Sequence, residues 1–585
     1  MKDNYIKQSP IPTLSTLGGG ANSLSYGAAG ADKGWYLYHG CDTATPSSGS
    51  PNASSDYGRQ VRVDSSGNIY VQHSSYNRVN WAKFDNDGAL QWNRMINGDS
   101  WPGGSYGNSG TGVEDERFQT NFTVDSSGNL YVVSHTNSLQ TGGSDTVPSG
   151  TGQCADVYLA KYNSSGTLQW QQSFGSGPLG GTGNGGYSHS RNEHGLGVTT
   201  DPYGNVYVAG FVYRAYQSYQ YTDLLVVKFN SSGSVTWQKA VQGDETSGNY
   251  NYRNRNPVGS TITWIGNRVY IGGRINVNNS GTNGTMTLVC VLNSTNGSLE
   301  YWHAAGGRYN SYHNFDGTMR ECGTSNAHQS SPSGSHSIRA TSSGTVYAIS
   351  NDNGSYDSPI VHKFNALGGT TFDWSRRLGV AYNETTYKYI SHGLTIDSSN
   401  NVIISGWKRT SSSDGNGCIS ETGFIIKLND SDGSTDWEVE FGAEAAYNVG
   451  QSWGCDKGCR LHGLDIDSND FIYVVGRASN FTSAGSNTNM VLFKLPSDGS
   501  FFPSDGSKTI YGTAPYNFYF KKITSPVNND ATNVGGVLLR NSSNGNTANG
   551  VLYTPTFTVN PTTTSFTESA SVSRSTSVND WIYPE

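Results

Sequence analysis

The side chains best suited to chemistry in this sequence are histidines that recur upstream of short polar turns. They are His194, His336, His392 and His462. Three of them stand five residues before the first residue of such a turn. His194 stands seven before it, an even difference that keeps the same facing along a strand. A histidine can serve as a general base or a metal ligand. Because these histidines recur at matching places in a repeated sequence unit, described below, we predict a structural role at the joints between the repeated units.

The seven cysteines form no clear disulfide framework, because their number is odd and their spacing scattered. Cys455 and Cys459 make a CxxxC pair, and Cys418 and His462 are the available further ligands for zinc. A structural zinc site needs four ligands at closer spacing. We therefore expect loop thiols and no cofactor.

Other chemical signatures also have simpler explanations. The segments "DNDG" at 85–88 and "DSDG" at 430–433 resemble calcium loops, but they lack the six-ligand pattern and align with ordinary turns. No G-x-S-x-G or H-E-x-x-H motif occurs. Paired carboxylates for glycosidase chemistry would have to converge across distant segments. We expect no catalytic site, with a polysaccharide-degrading activity kept as an alternative.

Aromatic and amide side chains crowd several connecting segments and could form a recognition surface. Tyrosine and tryptophan give rigid contact area with a polar tip, which suits sugars or proteins. The alternative is that these residues only pack against each other. The candidate binding residues are Tyr213, Tyr216, Tyr219, Tyr250, Tyr252, Arg253, Tyr309, Tyr312 and Trp453.

Composition excludes several classes of function. Only 14% of the 585 residues are charged, the net charge is −8, and no basic run appears, so nucleic-acid binding is not expected. The first thirty residues lack the apolar core of a secretory signal. No apolar stretch reaches the length of a membrane-spanning helix, so no membrane insertion is expected.

Two short patterns alternate along the chain and must position all of these residues. The first reads V-D-S-S-G-N-x-Y-V and the second A-K-[FY]-N-S-S-G-x-x-x-W. Each predicts strand–turn–strand, because Asp or Asn bonds its own backbone and Gly supplies the positive φ. Copies of the first begin at 63, 124, 200, 264, 341, 396 and 466. Copies of the second begin at 81, 159, 226, 289, 361, 425 and 492, the last without its tryptophan.

Seven four-stranded units predict an all-β fold, a seven-bladed β-propeller. The missing tryptophan strand of the last unit is supplied, we predict, by residues 34–39, led by Trp35; residues 507–513 are the alternative. The repeated tryptophans should pack between blades. They are Trp35, Trp92, Trp170, Trp237, Trp302, Trp374 and Trp437.

These patterns resemble those of the seven-bladed β-propeller repeat family of bacterial and phage proteins. The matching segments stand at 64–71, 81–92, 125–132 and 160–170. The resemblance covers about residues 34–500 and implies the fold while saying little about chemistry. The predicted organisation is an anchoring segment over 1–33, a propeller over 34–500, and a β-rich module or attachment tail over 501–585.

The strand count also predicts how the two sides of the ring differ. All long connections fall on one side, which we expect to be the recognition surface. Both tails should leave from the other side. The C-terminal stretch reads as a small β-module, a strand added to a partner, or a partly disordered tail.

The leader "DNYIKQSPIPTLSTLGGGANSL" at 3–24 resembles N-termini of structural proteins of tailed marine phages, especially those of cyanobacteria. That resemblance implies a virion protein, assembled in the host cytoplasm and bound to other virion proteins through its tails. Its role would be attachment or host recognition, through a host-surface glycan or protein. The alternatives are a cell-surface or secreted glycan-binding propeller of bacteria and a propeller polysaccharide lyase or hydrolase.

Overall fold

The fold is a ring of seven antiparallel β-sheets, given by a computed structural model. Within the residues that it describes there is no helix, and hence none long and apolar enough to cross a membrane. The chain is therefore all-β and forms a seven-bladed β-propeller, which confirms the predicted fold. The described residues are 35–40, 56–75, 78–97, 121–136, 156–175, 193–216, 219–242, 257–279, 282–306, 338–352, 358–369, 371–378, 387–410, 421–443, 459–479, 488–500, 502, 504–511, 518–524, 537–540, 551–553, 558–561, 567–570 and 575–580.

The first four blades follow each other along the chain, each a four-stranded meander. Blade one holds β2 Asp56–Val63, β3 Ile69–Ser75, β4 Arg78–Phe84 and β5 Leu90–Asn97. Blade two holds β6 Asn121–Val124, β7 Leu130–Thr136, β8 Asp156–Tyr162 and β9 Leu168–Gly175. Blade three holds β10 Glu193–Thr200, β11 Val206–Tyr216, β12 Tyr219–Phe229 and β13 Val235–Gln242. Blade four holds β14 Val258–Ile265, β15 Arg268–Asn279, β16 Thr282–Asn293 and β17 Leu299–Gly306.

The remaining three blades repeat the meander, and the last one borrows its outer strand from the start of the chain. Blade five holds β18 Ile338–Ala340, β19 Thr345–Asp352, β20 Ser358–Asn365 and β21 Trp374–Arg377. Blade six holds β22 Tyr387–Ile396, β23 Val402–Thr410, β24 Glu421–Leu428 and β25 Thr435–Ala443. Blade seven holds β26 Cys459–Ile466, β27 Phe471–Ser479, β28 Thr488–Pro496 and β1 Trp35–Gly40.

The first strand of each blade lies nearest the axis of the ring. Each contacts the first strands of both neighbouring blades, which closes an inner circle. The core lies between blades rather than in one central mass. Its largest cluster joins blades six, seven and one through side chains such as Phe441, Val474 and Val61. Most apolar burial therefore depends on blade-to-blade contact, as expected for radial repetition of small sheets.

The short polar turns fold as the sequence predicts. Asp64 accepts backbone hydrogen bonds from Ser66 and Asn68, both 2.9 Å, and Gly67 takes a φ of 79°. This is the Asx-type turn in which a side-chain oxygen replaces a backbone acceptor. Related carboxylate-capped turns occur at Asp125, Asp201, Asp397 and Asp467. The "DNDG" and "DSDG" segments also form turns, as predicted, closed by hydrogen bonds from Gly88 to the carbonyl of Asp85 and from Gly433 to that of Asn429.

The two sides of the ring differ in their connections. We call the side with the first and third turns of each blade, such as 64–68 and 85–89, the turn face. The other side is the loop face, where second and third strands are joined and where one blade leads to the next. In blades three and four the second and third strands continue toward the loop face as long hairpins, paired up to Tyr216–Tyr219 and Asn279–Thr282.

Strand β1 closes the ring as predicted. It pairs with β28, and Trp35 stands opposite Lys494 just as Trp92 stands opposite Lys83 in blade one. The alternative segment forms β29 Lys508–Tyr511, which pairs with β30 Phe518–Lys522 beside blade six. The tryptophan strand missing from the last repeat is therefore the first strand of the chain.

The C-terminal stretch forms a belt around the outside of the ring, which the sequence analysis did not predict. After β30 on blade six, the chain adds one short strand to the outer edge of blades four, three, two, one and seven in turn. Blade seven carries the last one on β1. These strands are β31 Val537–Arg540, β32 Val551–Tyr553, β33 Thr558–Pro561, β34 Thr567–Ala570 and β35 Ser575–Asp580.

The belt belongs to the sheets of the propeller rather than to a separate module. Each belt strand is antiparallel to the outer strand that it covers. The strand order runs backward relative to the blades, so the chain makes nearly a full second circuit. Its final strand ends with Asp580 opposite Trp35.

Candidate functional site

The candidate binding residues from the sequence fall into two groups. Tyr213 and Tyr216 lie at the end of β11 and Tyr219 begins β12, so all three belong to the hairpin of blade three at the loop face. Tyr216 and Tyr219 are direct cross-strand partners. This segment is therefore a strand pair rather than an irregular loop. The remaining six lie outside the described residues: Tyr250, Tyr252, Arg253, Tyr309, Tyr312 and Trp453.

Five of the repeated tryptophans form a hydrogen bond from their own blade to the next one. The indole of Trp92 donates to the carbonyl of Ser164 at 3.0 Å, in the third turn of blade two. Lys83 donates to the same carbonyl, and its ammonium lies 5.2 Å from the ring centre of Tyr70. The same indole bond joins Trp170 to Ser231, Trp237 to Ser294, Trp374 to Asp430 and Trp437 to Ser497.

Trp302 departs from this arrangement. In the other blades the tryptophan stands opposite the lysine of the third strand, as Trp237 does opposite Lys228. In blade four Tyr301 occupies that place, opposite Val291, and Trp302 follows one residue later. A shift of one residue turns a strand side chain to the other face. Trp302 is accordingly buried with the cluster between blades three and four instead of bonding to blade five.

The four recurring histidines are not equivalent. His392 and His462 occupy β-bulges in the first strands of blades six and seven. His194 comes before the bulge of β10, where Leu196 is the extra residue, and its ring stacks on Phe211 at 4.6 Å. A bulge changes the facing of the residues on either side of it. The even spacing therefore does not preserve the facing of His194; His336 lies outside the described residues.

A histidine pair forms where the first strands of blades six and seven meet. The ring centres of His392 and His462 are 4.8 Å apart. The indole of Trp407 donates to Nε2 of His392 at 2.9 Å, which places the proton of neutral His392 on Nδ1. A Cβ on Gly393 would lie 2.8 Å from the backbone oxygen of His462, so the glycine permits the close approach of these strands.

An arginine–carboxylate group adjoins the histidine pair. The guanidinium of Arg460 donates through two nitrogens to both oxygens of Glu421, and it lies 4.2 Å from the ring centre of Trp407. Arg477 reaches the same carboxylate at 3.6 Å. All three charged side chains are at most 13% exposed. We call Glu421, Arg460, Arg477, His392, His462 and Trp407 the His–Arg cluster.

Burial and the positive charges of the His–Arg cluster keep His462 neutral, and those charges favour the binding of an anion. Burial, and then the nearby His392, Arg59, Arg477 and Arg460, lower the pKa of His462 well below its usual value. His462 is therefore neutral at pH 7, and its Nδ1 has no hydrogen-bond partner among the described residues. Arg460 and Arg477 both reach the carboxylate of Glu421 near the loop-face ends of blades six and seven.

The cysteines contribute no metal site in the part of the chain that the structure describes. That part holds no group of three or more His, Cys, Asp or Glu side chains that could bind a metal ion. Cys459 begins β26 and is buried, so it is not the loop thiol expected from the sequence. Burial raises the pKa of its thiol to about 12. Cys455 and Cys418 lie outside the described residues.

Comparison with known proteins gives only weak structural likenesses. No protein-family model and no curated protein matches the sequence. A PL25 polysaccharide lyase, an ulvan lyase, aligns with 9% identity over 74% of this chain and 94% of its own, at a TM-score of 0.41. A GH43_12 protein from a capybara gut metagenome gives 7% identity over 84% and 99%, at 0.23. A tail fibre of a Staphylococcus aureus phage gives 8% over 65% and 92%, at 0.15. Likenesses this weak do not distinguish a lyase from a fibre.

Proposed function

We propose that the protein is a structural component of a phage particle, in the tail, baseplate or a capsid-surface fibre, that recognises the host through its loop face. One observation carries the proposal. Trp35 pairs with both Lys494 and Asp580, so the outermost described strands from the two ends of the chain meet at the turn face. A particle that holds the protein by these ends would present the loop face to its surroundings.

The leader supports a particle rather than a cell as the point of attachment. The K-Q-S-P…G-G-G pattern within residues 3–24, which resembles leaders of structural proteins of tailed marine phages, is the sequence feature behind this part of the proposal. The segment joins the ring through β1, which lies between β28 and β35 in blade seven. A force on the leader would therefore act on a strand with a hydrogen-bonded neighbour on each side, which suits an anchoring connection.

The His–Arg cluster suggests an acidic glycan as the ligand on the host. Arginine binds carboxylate and sulfate groups through paired hydrogen bonds. Arg460 and Arg477 both reach Glu421 at the loop-face ends of two neighbouring blades, and the face of Trp407 supports the Arg460 guanidinium. A glycan that reaches these guanidinium groups would compete with Glu421 for them, which favours an anionic polymer over a neutral one.

Competition for host adsorption tests the proposed function. Purified full-length protein should reduce the adsorption of phage particles to host cells, and added acidic polysaccharide should weaken that competition. Arg477→Gln should compete less well. Arg376→Gln, on the outer strand of blade five, is the matched control and should compete like the wild type. Folded protein that fails to compete at saturating concentration would contradict recognition by this chain.

A second candidate function is a lyase acting on an acidic polysaccharide, favoured by the neutral histidine beside arginines. A neutral imidazole could remove the proton next to a uronate carboxylate while an arginine offsets the charge that develops there. Elimination would then break the adjacent C–O bond, leave a C=C bond in one product, and return a proton to the leaving oxygen.

The two candidates differ in one product. A lyase releases unsaturated ends that absorb ultraviolet light, whereas a binding protein leaves the polymer intact. Incubation of the full-length protein with a panel of uronate polysaccharides should give no such absorbance if the protein only binds. Steady release that His462→Gln abolishes would replace recognition by catalysis as the function of this cluster.

A further inference from the structure

One position per blade forms a ring of polar side chains at the turn-face end of the axis. The position lies on the first strand, opposite the repeated tyrosine of the second strand, as Arg62 lies opposite Tyr70. In blade six Ile403 stands in the place of that tyrosine. Because first strands contact each other around the axis, residues at one level of these strands surround it. The seven residues are Arg62, Thr123, Thr199, Thr263, Arg339, Thr395 and Asp465. We call them the axial ring.

The composition of the axial ring is unusual for the centre of a protein. It contains two guanidinium groups, four hydroxyls and one carboxylate, with a surplus of one positive charge. Arg62 donates to the carbonyl of Val61 and Arg339 to that of Ile338, at 2.8 and 3.3 Å. Each arginine has five N–H donors, so these bonds to a preceding carbonyl use only a small part of its capacity.

The two arginines act on each other across the axis. Arg62 belongs to blade one and Arg339 to blade five, which are not neighbours around the ring. Burial, and then repulsion by Arg62, lower the pKa of Arg339 to about 10. Asp465 counteracts this for both arginines, but its Oδ2 already accepts a hydrogen bond from the backbone of Val63 at 3.0 Å.

The threonines complete a set of donors. Thr123, Thr199 and Thr263 are half-buried and Thr395 is buried. None of their hydroxyls has a hydrogen-bond partner within the described ranges. Hydroxyl and guanidinium groups are the donors that oxyanions accept from in proteins. Two like charges held close together at low exposure are stabilised when an anion lies between them.

We propose that the axial ring binds an oxyanion, a phosphate, sulfate or carboxylate group, held between Arg62 and Arg339 with threonine hydroxyls around it. This site lies at the opposite end of the axis from the His–Arg cluster and is independent of the function proposed above. A free inorganic ion and a carboxylate carried by a larger partner are two sources of the same chemistry. The ring residues stand two positions before the first turn of a blade, as Arg62 does before Asp64, so the site lies at the turn-face end of the axis, the side on which Trp35 meets Asp580.

Thermal unfolding and calorimetry of the full-length protein test the site. Phosphate, sulfate and acetate are titrated separately against chloride at constant ionic strength, with acetate representing a carboxylate. At least one should bind saturably and raise the Tm in proportion to its occupancy. The double variant Arg62→Gln/Arg339→Gln should bind it at least about tenfold more weakly. Arg376→Gln, whose guanidinium also donates to the preceding carbonyl, should bind like the wild type.

A second variant keeps the test decisive if the double variant does not fold. Asp465→Asn removes the one negative charge of the ring while retaining an acceptor for the backbone of Val63, so it should bind the anion more tightly than the wild type. Preference for phosphate or sulfate indicates a free ion or an ester, and preference for acetate indicates a partner's carboxylate. Saturable binding of none of the three, or equal binding by the wild type and Asp465→Asn, would overturn the proposal.

Discussion

At the scale of single residues, most repeated side chains serve the joints between blades. The tryptophan, lysine, tyrosine and turn carboxylate of a repeat form one connected set. In blade three, Tyr207 donates to Asp201 at 3.0 Å while Lys228 lies 5.2 Å from the ring centre of Tyr207. The residues that differ between blades, such as His392 and Arg62, carry the sites proposed above. Both proposed sites therefore lie where the repeat is broken.

The indole bonds should differ in strength according to their length and burial. Trp374 donates to Asp430 at 2.8 Å and is 2% exposed, whereas the bond from Trp170 to Ser231 is 3.3 Å long and exposed. Trp374→Phe should cost about 1–2 kcal/mol of stability, and Trp170→Phe less than about 0.5 kcal/mol. Denaturant unfolding of both variants measures the difference. Equal losses would show that packing, not the indole bond, joins the blades.

A buried histidine in blade five should make the protein sensitive to acid. Burial lowers the pKa of His362 to about 3, so the folded state keeps this ring neutral where the unfolded chain binds a proton. The contribution of neutral His362 to the free energy of unfolding is therefore fully present above about pH 6.5. It is lost as the pH falls toward about 3, at about 1.4 kcal/mol per pH unit.

The matched variant isolates that group. His362→Gln cannot titrate, so its stability should fall less steeply with acid than that of the wild type, even if it is less stable at pH 7. Unfolding free energies at several pH values between 7 and 4 give the two slopes. Parallel slopes would mean that His362 is not the group that limits acid stability.

At the scale of elements, the sequence revealed the regular parts of the fold and missed the irregular ones. Polar turns with glycine recur in both hairpins of a blade, so strand number and ring closure were predictable. The sequence also contained an indication of register that we did not use. The residue that stands opposite the third-strand lysine usually lies four positions after the glycine of the third turn. Counting from Gly297 gives Tyr301 rather than Trp302. Bulges leave no such mark, and the different facing of His194 and His462 could not be read from spacing.

The belt was missed for a physical reason. Its strands are only three to six residues long, and after the Asn- and Gly-rich stretch 541–550 no Asn-Gly or Asp-Gly turn separates them. Alternating Ser and Thr around 561–577 is compatible with a strand, a linker or a disordered tail. Only the unpaired edges of the blades give these residues a partner, and edges are a property of the assembled ring.

Removal of β1 should weaken the whole ring. Deletion of residues 1–40 takes away a strand that pairs on both sides, with β28 and β35. The melting temperature should fall by roughly 5 °C or more and the transition should broaden, since blade seven loses its closure. Deletion of residues 1–30, which leaves β1 in place, is the control and should melt like the full chain. An unchanged melting curve for both deletions would contradict strand closure.

Removal of the belt should change association more than folding. A chain ending at residue 524 keeps the four core strands of every blade but uncovers the outer edges of five of them. Uncovered edges pair with other chains. Far-ultraviolet circular dichroism should remain that of a β-protein, while light scattering should show oligomers that the full chain does not form. A monodisperse monomer would mean that the edges need no cover.

At the scale of the whole molecule, the two faces of the ring are unlike each other. The turn face holds short, uniform turns, the axial ring and the meeting point of Trp35 with Asp580. The loop face holds the joined ends of the blades, two long hairpins and the His–Arg cluster. In the proposed function the turn face serves attachment and the loop face serves recognition.

Mass spectrometry of purified phage particles from the source of this sequence is the most direct test of that claim. The account predicts peptides of this protein at a constant copy number relative to the major capsid protein, retained through density-gradient purification. The value of that copy number would also separate a tail or baseplate position from a capsid-surface one. Absence from intact particles, with the protein present in host cells or medium, would contradict a virion role.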